Sequence, residues 1–299
     1  MRARLGWMAG MLMILFGYCH MAANKPLLTG AAGAQEVCDK DPAFAGGAAS
    51  GPETQADGLL VWRIRSPYQR GETLLRALLP KKLAPPERRR VVFILPVEAG
   101  PATRWGDPLR AARAIDAADR FGLVLLFPTF SDLPWYCDHP TEPLLRQESH
   151  VLKALVPLAE RLWPHDARRR GLLGFSKSGW GAFTLLLRNP DAFGAAAAWD
   201  APMMMTRPLF GMEAIVGTLE NFERYRVARL LAERAERVKR AKRLGLFGHG
   251  NFRKETQAAH ALMEQLGIPH DYADGPPRKH HWESGWLEQA LQALSAMLP

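Results

Sequence analysis

One serine and a pair of histidines carry the chemistry that this sequence suggests. Ser176 stands in Gly174-Phe175-Ser176-Lys177-Ser178-Gly179, between a short apolar run that begins at Leu172 and a Pro-free apolar segment of helical length that follows at once. A serine hydroxyl is a weak nucleophile at neutral pH. It needs a neighbouring histidine to take its proton and a third group to orient that histidine. The candidates for the base are His280 and His281, in Lys279-His280-His281-Trp282-Glu283-Ser284-Gly285-Trp286 near the end of the chain. About a hundred residues separate them from Ser176, so only a fold can bring base and nucleophile together. Ser178 is the local competitor, but Trp180 is too large for the crowded position two residues after a nucleophile.

The elements that must do this positioning alternate between two periods. Leu59–Arg65 and Glu72–Pro80 read as an antiparallel pair around the turn Ser66–Gly71. Val91–Leu95 and Gly122–Phe127 are uninterrupted apolar runs of the kind buried on both faces of a parallel sheet, with a helix expected over Pro108–Arg120 between them. An amphipathic helix follows over Arg146–Trp163, kinked or split at Pro157. Ala195–Trp199, Arg243–Gly248 and His270–Tyr272 read as strands, while Arg224–Lys242, Glu255–Leu266 and Glu283–Leu298 read as helices. This alternation implies an α/β fold with a mostly parallel sheet covered by helices on both faces.

A strand, a sharp turn and a helix around Ser176 resemble the nucleophile elbow, G-x-S-x-G, of the α/β-hydrolases. Gly174 fits that pattern, and Ser178 stands where Gly is usual. From about Trp62 to the C-terminus the chain resembles bacterial esterases related to esterase D, feruloyl esterases and mycolyltransferases. The resemblance rests on the GFSKSGWGA elbow, the preceding helix ending in Leu-Trp-Pro, and a terminal H-x-W pattern followed by another aromatic and an amphipathic helix. It implies the chain order Ser, acid, His, with the catalytic His two residues before a Trp. That selects His280, with His281 as the alternative.

The expected acid is missing from its usual place. Relatives show G-x-x-D after the strand that here ends at Gly248, and the matching residue is Asn251. Asn can orient a histidine but cannot supply the negative charge that stabilises imidazolium. Asp200, directly after the strand ending at Trp199, and Glu255, in the first turn of a helix, are the substitutes. Asp200 is favoured because it sits at a strand end. The resemblance further implies an oxyanion hole made by the backbone N–H of Lys177 and that of Val97 or Glu98, and it places Trp135 and Tyr136 in a loop at the carboxyl edge of the sheet as a wall of the substrate pocket.

Composition bounds the rest. At 299 residues with 47% apolar content, one catalytic domain over residues 58–299 is expected. Residues 1–34 read as a signal peptide or an uncleaved anchor: Arg2 and Arg4 precede an apolar run too short for a comfortable membrane span. Cleavage fits after Ala34 or after Ala23, and Tyr18 argues against lipoprotein processing at Cys19. Residues 35–57 read as a flexible leader. Export to the periplasm or beyond, with possible inner-membrane anchoring through the N-terminal segment, would permit a disulfide between Cys38 and Cys137. The net charge of +9 is spread along the chain with no nucleic-acid-binding motif, so a solvated basic surface is expected and no nucleic-acid partner. The histidines show no H-E-x-x-H or comparable spacing and the cysteines no C-x-x-C, so neither a metal nor another cofactor is expected.

Together these features point to a serine esterase acting on a small-molecule or polymer-linked ester through an acyl-enzyme. An acyltransferase using the same residues is the alternative within enzymes. The substitution at Asn251 motivates another class, an inactive α/β-hydrolase retained as an envelope binding module. The sequence leaves oligomeric state open.

Overall fold

The computed structural model describes residues 46–299. Its frame is one nine-stranded sheet built from β1 (Ala48–Thr54), β2 (Leu60–Arg65), β3 (Glu72–Leu78), β4 (Arg90–Ile94), β5 (Leu123–Pro128), β6 (Arg170–Phe175), β7 (Ala195–Trp199), β8 (Leu244–His249) and β9 (His270–Pro277). The spatial order is β1-β2-β3-β5-β4-β6-β7-β8-β9. The pairs β1/β2, β2/β3 and β3/β5 are antiparallel, and every pair from β5/β4 to β8/β9 is parallel.

The connecting helices are α1 (Pro108–Ala114), α2 (Ala117–Phe121), α3 (Gln147–His150), α4 (Val156–Leu162), α5 (Lys177–Arg188), α6 (Glu213–Val216), α7 (Leu219–Tyr225), α8 (Val227–Val238), α9 (Arg253–Gln265) and α10 (Leu287–Met297). Side chains of the central strands alternate between two cores. Val91, Phe93 and Leu95 join Trp180, Phe183 and Leu230 on one face, whereas Val92 and Ile94 join Leu109, Trp286 and Leu291 on the other. A strand buried on both faces has no polar alternation to display, which is why its sequence reads as a continuous apolar run. Each fully buried Leu or Phe contributes about 1.5–3 kcal/mol relative to exposure.

Three expectations need correction. Ordered structure begins ahead of Gly58, because β1 lies within the stretch read as a leader. That strand is AASGPET, whose small residues bury Ala49 and Gly51 against β2 without producing an apolar signal. The helix expected over Arg146–Trp163, kinked or split at Pro157, instead runs on from Gln147 to Leu162 and accommodates the proline through a π-helical segment, Val151–Leu155, after which the Val156 N–H reaches the Val151 carbonyl. The basic helix expected over Arg224–Lys242 is α8, Val227–Val238, and it starts later than expected because Arg226 is extended and Arg224 and Tyr225 close the separate helix α7. Residues 1–34 and Cys38 lie outside the described residues. Among the described residues no helix is long and apolar enough to cross a membrane.

Candidate active site

Ser176 sits on the turn between β6 and α5 with φ 54° and ψ −129°. A non-glycine residue held there stores about 1–3 kcal/mol of strain and persists only where its surroundings fix it. Here the fixing contacts are visible. A Cβ at Gly174 would lie 2.0 Å from the Ser178 carbonyl oxygen, and one at Gly179 would lie 2.8 Å from the Ala201 Cβ, so the crossing of strand and helix requires both glycines. Ser178, the departure from G-x-S-x-G, is fully buried, and its hydroxyl both accepts from the Phe175 N–H and donates to the Phe175 carbonyl, each at 2.9 Å. The side chain that looked like an imperfect glycine thus laces the elbow across its base. Ser178→Ala is expected to lower unfolding stability by about 1–2 kcal/mol, measured by denaturant titration.

Two other strand ends meet the elbow. Asp200 follows β7 and is completely buried, and His280 lies beyond β9 with its side chain 11% exposed. His280 Nδ1 is 2.5 Å from Asp200 Oδ2, and His280 Nε2 is 3.0 Å from Ser176 Oγ. A carboxylate only accepts, so Nδ1 carries the proton, and Nε2 presents its lone pair to the serine hydroxyl. Asp200 also accepts from the backbone N–H of Asn251 at 2.8 Å and of Phe252 at 2.7 Å. Burial works to raise its pKa, but the bonds from His280 and from the backbone of Gly250, Asn251 and Phe252 outweigh it and hold the carboxyl below its ordinary value. Gly250 makes this cradle possible: a Cβ there would meet the Arg278 carbonyl at 2.7 Å and Asp200 Oδ2 at 2.8 Å. The imidazole is walled by Phe175, Trp105 and Phe252, with centroids at 4.4, 5.5 and 5.5 Å.

The alternatives lie elsewhere. His281 points away from Ser176 and packs its ring against Gly106, while its carbonyl accepts from the Ser284 hydroxyl and the Trp286 indole. Glu255 accepts the Met204 N–H at 2.5 Å, bracing the segment that leaves Asp200 rather than touching the histidine. Asn251 offers its backbone N–H to Asp200, and its side chain is exposed. The carboxylate that meets His280 stands at the end of β7, and the turn after β8, which carries Asn251, serves as its hydrogen-bonding cradle.

The backbone N–H groups of Lys177, Val97 and Glu98 have no hydrogen-bond partner among the described residues, which suits donors that await an oxyanion. The loop carrying Val97 and Glu98 is tied to the histidine loop: Glu98 accepts from the Trp105 N–H, and the Trp105 carbonyl accepts from the Trp282 N–H.

Trp135 and Tyr136 form a floor instead of the expected pocket wall, since both are fully buried. Tyr136, at φ 56°, lays its ring over Gly181 and donates its hydroxyl to the Pro96 carbonyl at 2.5 Å, propping the loop that bears Val97. Gln147 holds both residues by accepting their N–H groups at 2.7 and 2.8 Å. The half-buried Lys177 ammonium lies 5.7 Å from the Trp135 ring centroid; burial lowers its pKa, and Glu98 pulls the other way. Cys137 is a buried free thiol whose pKa is pushed up by burial, and its suggested partner Cys38 falls outside the described residues. Sequence reasoning missed the Ser178 lacing, the Gly250 cradle and the Tyr136 prop. Of these, only the glycines at 248 and 250 left a signal.

The fold has counterparts among known proteins. Residues 132–291, 160 of the 299, match the family model described as "Putative esterase". The fold is that of an S-formylglutathione hydrolase from Agrobacterium tumefaciens, at 19% identity and TM-score 0.64 over 85% of this chain and 96% of that one. It is also that of the fluorophosphonate-binding serine hydrolase FphF of Staphylococcus aureus, at 16% identity and TM-score 0.65 over 81% and 98%. A ferulic acid esterase aligns at 19% identity and TM-score 0.62 over 80% and 97%. No curated protein matches the chain in sequence. A family match across more than half of its length, on a sheet of this topology, means that the chain belongs to this esterase family, the carboxylic-ester hydrolases of the α/β-hydrolase fold.

Proposed function

We propose that Ser176, His280 and Asp200 form the catalytic triad of a serine esterase working through an acyl-enzyme. The observation that carries this reading is the unbroken chain of hydrogen bonds from Ser176 through His280 to Asp200, at 3.0 and 2.5 Å. As Ser176 Oγ attacks the ester carbonyl, His280 Nε2 takes its proton, and Asp200 stabilises the imidazolium that results. The negative charge on the carbonyl oxygen is met by the N–H of Lys177 and that of Val97 or Glu98, where losing one donor costs on the order of 10²–10³ in rate. His280 then returns the proton to the leaving alcohol. Water, deprotonated by the same nitrogen, attacks the acyl-enzyme and frees the acid and Ser176.

This reading leaves the inactive binding module without its motive, since a carboxylate engages the histidine despite Asn251. The test is labelling by a fluorophosphonate probe, which phosphonylates an activated serine. The folded protein is expected to label at Ser176, and Ser176→Ala to lose the label; an unlabelled wild type would overturn the reading. An alcohol in place of water at the second step would make the same site an acyltransferase, and the ratio of transferred ester to free acid in an added alcohol measures that. Export is proposed from residues 1–34 alone, and cell fractionation with N-terminal sequencing tests it.

A further inference from the structure

Three metal-binding side chains converge far from Ser176, at the outer edge of the sheet. His260 and Glu264 are one turn apart on α9, so they share a face of that helix. His270 opens β9, the edge strand that follows the helix. The nitrogens His260 Nδ1 and His270 Nε2 lie 2.8 Å apart, and Glu264 Oε1 lies 3.8 Å from His270 Nε2. All three side chains place a ligand atom within 4.8 Å of the others.

We propose that His260, Glu264 and His270 bind a divalent transition-metal ion, with Zn²⁺ as the reference ion. The donor set is right for zinc: two imidazole nitrogens and one carboxylate oxygen, leaving a fourth position for water. Ligand bonds of about 2.0–2.1 Å in tetrahedral array need ligand atoms about 3.3 Å apart, midway between the two separations present. Opening the histidine pair by about half an ångström and drawing the carboxylate towards His270 by as much brings these two separations to that spacing, and the Glu264 side chain, on the exposed end of the set, is free to adjust to His260.

The supporting shell is already set for this. His270, with its side chain only 1% exposed, places Nδ1 2.7 Å from the Ile268 carbonyl, which can only accept. That bond fixes the tautomer: Nδ1 carries the proton and Nε2 faces the site with a lone pair. In the empty pair, His260 Nδ1 therefore donates to His270 Nε2. Metal binding requires that proton to move to His260 Nε2, so that Nδ1 presents a lone pair as well. The His260 ring is held flat against Tyr272, with centroids at 3.8 Å and planes at 8°. The turn between α9 and β9 is fastened by the Ile268 N–H to the Met263 carbonyl and by Gly267 at φ 65°, so the helix and the strand meet in one geometry. Glu264 is 67% exposed and gives an ion its way in.

The ion would act as a clamp, not in the ester reaction. Its ligands lie about two and three turns along α9 from Phe252, whose N–H holds Asp200. At its other end β9 runs on towards His280. A metal here would therefore fasten together the helix and the strand whose far ends carry the acid's cradle and the base.

The experiment is calorimetric titration of ZnCl₂ into the tag-free, chelator-treated full chain, paired with thermal unfolding in the same solutions. One Zn²⁺ per chain with a raised Tm is expected. His260→Ala and His270→Ala should each weaken binding by at least about 100-fold and Glu264→Gln by at least about 10-fold, each reducing the rise in Tm accordingly. Esterase turnover by His260→Ala at the wild-type rate would show that this variant is folded. If His270→Ala does not fold, His260→Ala and Glu264→Gln still decide the matter from the helix surface. No binding by wild type, or binding that His260→Ala leaves within about threefold of wild type, would overturn the proposal; the second outcome would place the ion elsewhere.

Discussion

His280→Ala is expected to lower kcat by about 10⁴–10⁶-fold with the fold intact, because without a base the Ser176 hydroxyl is no better a nucleophile than water. The adjacent change, His281→Ala, should alter kcat by less than about threefold, the scale of a substitution away from buried or strained features. The contrast follows from geometry. His280 Nε2 is 3.0 Å from Ser176 Oγ, while the His281 ring packs on Gly106 and, among the described residues, accepts only the Glu283 N–H, at 3.3 Å, and the bonds its carbonyl takes from Ser284 and Trp286 are kept by alanine. Steady-state hydrolysis of a chromogenic ester by the two purified variants measures it. Equal losses in both would mean that the loop as a whole, and not the His280 imidazole, is required.

The second large effect concerns the acid. Asp200→Asn is expected to cost about 10⁴-fold in kcat, because an amide at this position loses the charge that stabilises imidazolium and accepts the His280 N–H less well. Glu255→Gln should cost less than about tenfold, since its carboxylate reaches only the Met204 N–H. A pH titration of stability provides an independent readout. The pKa of Asp200 is held below its ordinary value, so the folded state binds this proton less readily than the unfolded chain. Its contribution is therefore fully present above the unfolded value of about 3.9 and is lost as pH falls through the lower, folded value. Asp200→Asn should flatten the acid side of the stability curve in that window.

How much of this was legible depended on whether a residue's role is local. Ser176 could be read because an elbow is made of neighbours: a strand, a turn and a helix within one stretch. The meeting of His280 with Ser176 could be read because the order of elements brings the loop after the last strand to the elbow. Asp200 was visible as a candidate but could not be decided, since its claim rests on the N–H groups of a turn some fifty residues further on. β1 was missed because packing by Ala and Gly leaves no apolar period. Trp135 and Tyr136 were placed in the right loop and given the wrong aspect, because aromatic residues in a loop look the same whether they line a cleft or support one. His260 and Glu264 share a helical face in the sequence itself, but His270 joins them only through the turn at Gly267.

The strand hidden in the leader has a mechanical consequence. β1 is the outermost strand at the edge opposite β9, and five strand spacings, about 24 Å, separate it from β6, which ends in the elbow. Any pull arriving through Gly46 is taken up first by the antiparallel ladder between β1 and β2. The load would be borne by hydrogen bonds that have no part in the reaction, and the first strand to yield would be the one whose loss leaves Ser176, His280 and Asp200 in register. For a load applied at Gly46, β1 is a mechanical fuse between the point of pull and the elbow at Ser176.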